Sequence, residues 1–163
     1  MSAEVRPALS DDAEAMAQVH VRTWQETYLD LMPHEVLYDP DFIRRRKQMW
    51  TTLLTGPDRD KYRIAVAVVD EQLVGIAMVG PSDDADRLGE PELFVLYTYR
   101  SVHGSGVGTN LLEAVLDPTE SASLWVADPN PRAQAFYRKH GFVPDGTAKT
   151  DEDDGVTEIR MVR

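Results

Sequence analysis

Residues 103–108 read His-Gly-Ser-Gly-Val-Gly, between the apolar run Leu93-Phe94-Val95-Leu96-Tyr97 and the helix-forming run Thr109–Leu116. Strand, glycine loop, helix: this order constrains the fold more than any other feature of the chain. Glycine admits positive φ angles and lets a ligand approach the backbone without meeting a Cβ. Several N–H groups of such a loop converge on one anion, at the positive end of a helix dipole. The segment is therefore expected to bind a phosphate-bearing ligand.

With 163 residues, 42% hydrophobic and 28% charged, the chain is expected to form one globular domain, 1–163. It has no cysteine, so disulfides, thiolate metal sites and a cysteine nucleophile are excluded. The net charge of −11 is opposite in sign to that of a general nucleic-acid binder. It also repels an anionic ligand at long range, so a phosphate site must rely on local dipoles and a few local cations. Met1–Arg6 lacks the basic-then-apolar order of a signal peptide, and no apolar run approaches membrane-spanning length. The expectation is a cytoplasmic protein without nucleic-acid, membrane or metal partners. His20, His34 and His140 show no metal-ligand spacing, and no G-x-S-x-G hydrolase elbow is present.

Along the chain, Val5–Leu9 reads as a first strand. Ser10 reads as the N-cap of a helix carrying Ala13, Met16, Ala17, His20, Val21, Trp24 and Tyr28 at helical spacing. After Pro33 a short helix is expected at His34–Tyr38, then another at Asp41–Leu54, ended by Gly56-Pro57. Ile64–Val69 and Leu73–Val79 read as an antiparallel hairpin turning at Asp70–Gln72. Residues 80–91 read as a loop, Glu92–Leu116 as the strand–loop–helix unit, Ala122–Ala127 as a strand and Asn130 or Pro131 to His140 as a helix closed by Gly141. Phe142-Val143 and Val156–Val162 read as final strands, joined through a solvated turn at Asp151–Gly155. Hairpins thus flank a β-α-β unit whose right-handed crossover makes its two strands parallel: an α+β, mixed α/β architecture around one sheet.

Three phosphate-loop templates compete for the glycine segment. A Walker loop requires Lys-Ser or Lys-Thr after the last glycine, and here Thr109-Asn110 follows Gly108. In the dinucleotide fingerprint Gly104 and Gly106 fit, and Asp128 ends the next strand, but Thr109 stands at the third glycine and only one β-α-β unit is visible. The third template is Q/R-x-x-G-x-G/A, the pyrophosphate loop of acetyl-coenzyme A-dependent acyltransferases. Gly106 and Gly108 take its small positions, and His103 departs from Gln/Arg.

On these residues the chain resembles the GNAT superfamily of N-acetyltransferases. Leu96–Leu112 is similar to its cofactor motif, Asp128–Phe142 to the motif that follows, and Trp24–Pro33 to the first-helix region of small members with Trp-x-x-x-Tyr. The resemblance implies a single, mostly antiparallel sheet with a parallel pair at a splayed cofactor site, helices on both faces, and a homodimer. It implies that acetyl-coenzyme A is the co-substrate, its pyrophosphate held by backbone amides of Gly104, Ser105, Gly106, Val107 and Gly108. The Ser105 and Thr109 hydroxyls add to this, and His103, standing where the family has a fixed cation, supplies either a partial positive charge or only a ring N–H. By the same resemblance the backbones of Leu96, Tyr97 and Thr98, and Asn130, meet the pantetheine arm. Tyr137 stands near the thioester sulfur, where a phenol in hydrogen-bond reach protonates the departing thiolate.

Glu92 takes the position of the family's carboxylate base, acting on the amine through water, with Asp83, Asp84, Asp86 and Glu90 as rivals and a solvated strand start as the plain alternative. Trp24 and Tyr28, four residues apart on one helix face, read as a core stripe, and the resemblance implies that Tyr28 and the turn beyond it line the acceptor pocket. Arg44-Arg45-Arg46-Lys47 reads as a solvated helix face, its other use being the adenosine 3′-phosphate. The function implied is acetyl transfer to a primary amine of a small molecule or peptide. The alternatives are a non-catalytic acyl-coenzyme A sensor and a nicotinamide-cofactor domain.

Overall fold

A computed structural model describes residues 3–163; Met1 and Ser2, on which the signal-peptide reading partly rests, lie outside them. Among the described residues, seven strands form one sheet: β1 (Glu4–Pro7), β2 (Arg63–Val69), β3 (Gln72–Pro81), β4 (Pro91–Thr98), β5 (Ser123–Ala127), β6 (Val143–Thr150) and β7 (Thr157–Val162). Their order across the sheet is β1-β2-β3-β4-β5-β7-β6. The helices are α1 (Ala13–Tyr28), α2 (His34–Leu37), α3 (Pro40–Thr55), α4 (Val107–Val115) and α5 (Pro131–Lys139).

Every neighbouring pair is antiparallel except β4 and β5. Those two run parallel and pair only at Glu92↔Ser123 and Leu93↔Leu124. Beyond Leu93 they part, although β4 stays paired with β3 as far as Gly75↔Thr98. The backbone of Phe94–Thr98 is therefore left without a strand partner on its β5 side.

The period-two alternation of the hairpin sorts its side chains onto two faces. Ile64, Val66, Ile76 and Met78 pack in a cluster with Met16, Ala17 and Trp50 of α1 and α3. Ala65, Ala67, Ala77 and Val79 pack with Val107, Leu111, Leu112 and Val115 of α4. The small residues on this second face let α4 sit close: a Cβ on Gly75 would come within 2.7 Å of Leu111 Cδ1.

Three details correct the sequence expectations. Ser10 does not cap α1; Ser10–Asp12 forms a separate turn of 3-10 helix. Asp12 is its anchor, accepting from Leu9 N–H at 2.8 Å and from Arg6 at 2.8 and 3.0 Å, which holds its carboxyl below the usual range. The loop expected from residue 80 begins later, since β3 runs on to Pro81. The final hairpin is also longer on its first arm: the strand expected only at Phe142-Val143 continues as β6 to Thr150, through Pro144, Asp145 and Gly146. As the sheet's edge strand it tolerates a proline without a donor and carries an irregularity between Pro144 and Ala148.

Candidate active site

The parting of β4 and β5 opens a cavity of about 860 Å³ between α1, the glycine loop, α5 and the β6–β7 hairpin. Leu96, Tyr97 and Thr98 line it, as do His103, Gly104, Gly106, Gly108, Thr109, Asn130 and Tyr137, together with Trp24, Tyr28 and Glu92. Ser105 and Val107 do not line it. The Ser105 hydroxyl donates to the Val102 carbonyl, and the Val107 side chain is buried in the core.

At the glycine-loop end, Gly104 and Gly106 have φ of +79° and +90°, and a Cβ on either would meet nothing within 4 Å. The chain turns sharply there and leaves open space in front of the backbone. Gly106 precedes α4, so the N–H groups of Val107, Gly108 and Thr109 have no carbonyl in the helix to bond. Asn110 N–H already bonds to the Gly106 carbonyl. Gly108 has a different role: a Cβ there would sit 3.3 Å from Phe136 Cε1, so glycine lets α4 and α5 pack closely.

His103 is tied back to β4, with Nε2 3.3 Å from the Thr98 carbonyl. Only an N–H donates to a carbonyl, so the ring carries its hydrogen on Nε2. Burial and the nearby Arg132 hold its pKa below the usual 6.5, which leaves it neutral at pH 7. The fixed positive charge at this end comes instead from Arg132 and Lys139, which line the cavity from α5. The Arg44–Lys47 run does not line it. The Thr109 hydroxyl lies 3.2 Å from His140 Nε2. Asn130 caps α5, its side-chain oxygen accepting from Ala133 N–H at 3.3 Å, which leaves both amide donors for a ligand.

The opposite side gathers carboxylates. Glu92 is 6% exposed yet faces the cavity, which rules out a solvated strand start. Its Oε1 accepts from the Ser82 hydroxyl at 2.9 Å. Burial raises its pKa, partly offset by that hydrogen bond. Asp83, Asp86 and Glu90 do not line the cavity, and neither does Asp84. Glu158, Asp151 and Asp154 do, with Lys149 as the cation among them. Glu158 makes no ion pair or side-chain hydrogen bond among the described residues, and burial raises its pKa as well. Lys149 lies over the Trp125 ring at 4.1 Å. Asp151–Asp154, read from sequence as a solvated turn, thus brings Asp151 and Asp154 to the cavity wall.

Between the two ends stand three phenols. Burial pushes Tyr97 up to about 12 and raises Tyr28 and Tyr137 further, so all three keep their protons at neutral pH. Tyr137 packs edge-on to Phe136 and Phe142, with ring centroids 5.5 and 6.0 Å away. Trp24 and Tyr28 stack edge-on at 5.2 Å, so the core stripe and the pocket wall are one surface.

Buried Arg160 braces this side. It donates to Asp145 at 2.7 Å, to Asp86 at 2.6 and 2.7 Å and to Asp84 at 3.5 Å, while Trp125 Nε1 donates to Asp84 at 3.0 Å. Sequence reasoning missed Ser82, Trp125, Lys149, Glu158, Arg160 and the roles of Arg132 and Lys139. The two α5 cations had a local signal, lying within the motif around Asn130 and Tyr137. Trp125, Lys149, Glu158 and Arg160 had none, being contributed by β5, β6 and β7, and Ser82 had none because only the folded β3–β4 loop brings its hydroxyl to Glu92. Among the described residues no cluster of three or more His, Cys, Asp or Glu has the arrangement of a metal site, and no helix is long and apolar enough to cross a membrane.

Comparison with known proteins places this geometry. The sequence model of the acetyltransferase (GNAT) family matches residues 13–142. The chain is 31% identical over 141 residues to an uncharacterised N-acetyltransferase of Mycobacterium tuberculosis, covering 83% of this chain and 86% of that protein. It is 29% identical to a mycothiol acetyltransferase of Brachybacterium faecium, covering 84% of this chain but only 39% of that longer protein. Among solved structures, PaiA N-acetyltransferase of Thermoplasma acidophilum in complex with coenzyme A superposes with a TM-score of 0.74 at 21% identity, covering 97% and 98% of the two chains. The Corynebacterium glutamicum structure described as histone acetyltransferase HPA2 and related acetyltransferase gives 0.72 at 25% identity, covering 99% and 96%.

Proposed function

The chain belongs to the GNAT acetyltransferase family, and from that premise we propose that it moves the acetyl group of acetyl-coenzyme A directly to a primary amine of a small molecule or peptide. The observation that carries the proposal is the single cavity joining the free amides of the glycine loop to Tyr137 and Glu92. The fit to the co-substrate rests on the open backbone at Gly104 and Gly106, the unbonded amides that open α4, and Arg132 and Lys139 beside them.

In this reading the amides of the loop and the first turn of α4 hold the pyrophosphate. The freed edge of β4 at Leu96, Tyr97 and Thr98 and the amide of Asn130 align the pantetheine arm. The acceptor enters past Trp24 and Tyr28. Glu92, ionised, takes a proton from the ammonium through water, and the free amine attacks the thioester carbonyl. Tyr137 gives its proton to the departing thiolate and regains one from the nitrogen of the collapsing intermediate, which loses that proton as it becomes the amide. With no cysteine in the chain, no thiol-linked acetyl-enzyme forms, and the rate comes largely from holding both substrates together. An amine arrives as a cation, and the carboxylates of Glu92, Asp151, Asp154 and Glu158 suit that charge. In the same proposal residues 1–163 act as one domain, in a homodimer located in the cytoplasm.

The test is calorimetry with acetyl-coenzyme A followed by a panel of alkyl diamines, aromatic monoamines, an amino sugar and a short peptide, read by free thiol. Binding with thiol release on at least one amine supports the proposal. Tight binding with no release on any amine replaces it with a non-catalytic acyl-coenzyme A module.

A further inference from the structure

Ser82 is 1% exposed and sits where the loop joining β3 to β4 leaves the sheet. The loop closes on it from both sides: Ser82 N–H donates to the Glu90 carbonyl at 2.7 Å, and Gly89 N–H donates to the Ser82 carbonyl at 2.9 Å. Its hydroxyl oxygen accepts from Asp84 N–H at 3.1 Å. With that lone pair occupied, the hydroxyl proton is directed to Glu92 Oε1, 2.9 Å away. The loop is anchored in turn through the Asp84 and Asp86 carboxylates, held by Trp125 of β5 and Arg160 of β7. Two strands, β5 and β7, therefore anchor the loop that fixes the direction in which one hydroxyl points.

We propose that Ser82 is a positioning residue for the acceptor end of the site, its hydroxyl holding Glu92 Oε1 so that Oε2 is turned to the incoming amine. This rests on the reading of Glu92 as the base. The hydrogen bond favours the ionised carboxylate against the burial that opposes it. The other charged groups that bear on Glu92 are Asp83 and Asp84, which oppose ionisation, and Lys149, which favours it. Ser123 supplies a built-in control. It is opposite Glu92 in the β4–β5 register and fully buried, but its hydroxyl makes no hydrogen bond.

The test is carboxyl-carbon NMR titration of glutamate-labelled protein, with the Glu92 signal assigned by its loss in Glu92→Gln. It is paired with kcat/KM against pH using the fastest amine of the panel above. Ser82→Ala is expected to move both the Glu92 titration and the acid limb of kcat/KM up by about one pH unit, roughly tenfold in rate on the acid side. Acetyl-coenzyme A affinity stays unchanged. Ser82→Cys, close in volume and a weaker donor, gives a smaller shift in the same direction and serves as the reading should the alanine variant not fold. Ser123→Ala leaves the Glu92 titration where it is. If Glu92→Gln is inactive while Ser82→Ala and Ser82→Cys leave the titration and the limb in place, the Ser82 proposal falls alone. If Glu92→Gln keeps the wild-type rate, the base reading falls and takes this proposal with it.

Discussion

At one end of the cavity the residues are near neighbours in sequence: Leu96–Thr98, the loop at 103–108 and Asn130–Tyr137. At the other, Trp24, Tyr28, Glu92, Trp125, Lys149, Asp154 and Glu158 come from segments as far apart as α1 and β7. The glycine-loop end works with backbone: free amides, positive φ, a helix start. The carboxylate end works with side chains held by long-range polar contacts through Arg160. The charges divide in the same way, with Arg132 and Lys139 at the first end and four carboxylates against Lys149 at the second. A backbone site is local and robust to surface charge. A side-chain site depends on tertiary assembly, and it should be the more fragile and the more specific of the two.

The sharpest way to break that contrast is to remove the brace. Arg160→Ala leaves Asp84, Asp86 and Asp145 facing one another around a buried gap. Arg160 is 7% exposed at its side chain, with Asp84 and Asp145 also mostly covered, though Asp86 is 64% exposed. Loss of a buried ionic partner typically costs about 3–5 kcal/mol, and the open Asp86 puts this case at the lower figure. Thermal or urea unfolding reads it. A change in stability under 1 kcal/mol would show that the second end is not held from Arg160.

Next is Tyr137→Phe, which separates chemistry from binding within one residue. The ring packs against Phe136 and Phe142 and stays; only the proton donor goes. We expect kcat to fall on the order of 10²-fold, the low end for a general acid, with acetyl-coenzyme A affinity unchanged. Full activity would remove the acid role and leave the fold reading intact.

Gly106→Ala probes the backbone end. Its φ of +90° places an L-residue in the left-handed region, while the space around the new Cβ is open. The expected loss is therefore strain alone, about 1–2 kcal/mol of folding stability. Coenzyme A affinity should fall as well if the open space is where the pyrophosphate lies. Unchanged affinity in a folded Gly106→Ala protein would move the ligand away from this turn.

The same contrast explains what sequence reading reached. Strand–loop–helix order, the parallel β4–β5 pair and the α4 and α5 boundaries depend on local signals: a β-branched or apolar run, a glycine cluster, an N-cap. The edge strand β6 did not, because Pro144, Asp145 and Gly146 carry turn chemistry that only an exposed edge accommodates. Ser10 read as a cap because the pattern Ser-Asp-Asp does not show that Arg6 recruits Asp12 instead. Glu92 was legible as a carboxylate at a strand start, but not its burial, which depends on the loop that folds over it. Glu158 and Lys149 carry no motif at all; their position follows from the β6–β7 register, in which they are paired.

The smallest expected effect belongs to His103, the one side chain at the backbone end whose charge depends on pH. Sequence alone left open whether it replaces the fixed cation. Burial and Arg132 hold its pKa below 6.5 in the free protein, so it begins neutral. A bound phosphate near it would raise that pKa. Binding would then take up a proton, and affinity would rise as pH falls through the raised, bound-state value, levelling off below the free-state value. Well above the bound-state value the ring is neutral in both states and contributes little. His103→Gln restores the family's glutamine and removes the titration, so its affinity for coenzyme A should match wild type within about twofold near pH 7.5. Below pH 6 it should be weaker by about 2–5-fold, the size of one charge near a helix start at modest exposure. Calorimetry of both proteins across that range isolates the ring, since the ligand's own phosphate titrates identically in each. Parallel curves would mean that His103 serves only to tie the loop to the Thr98 carbonyl, and that the whole charge at this end is carried by α5.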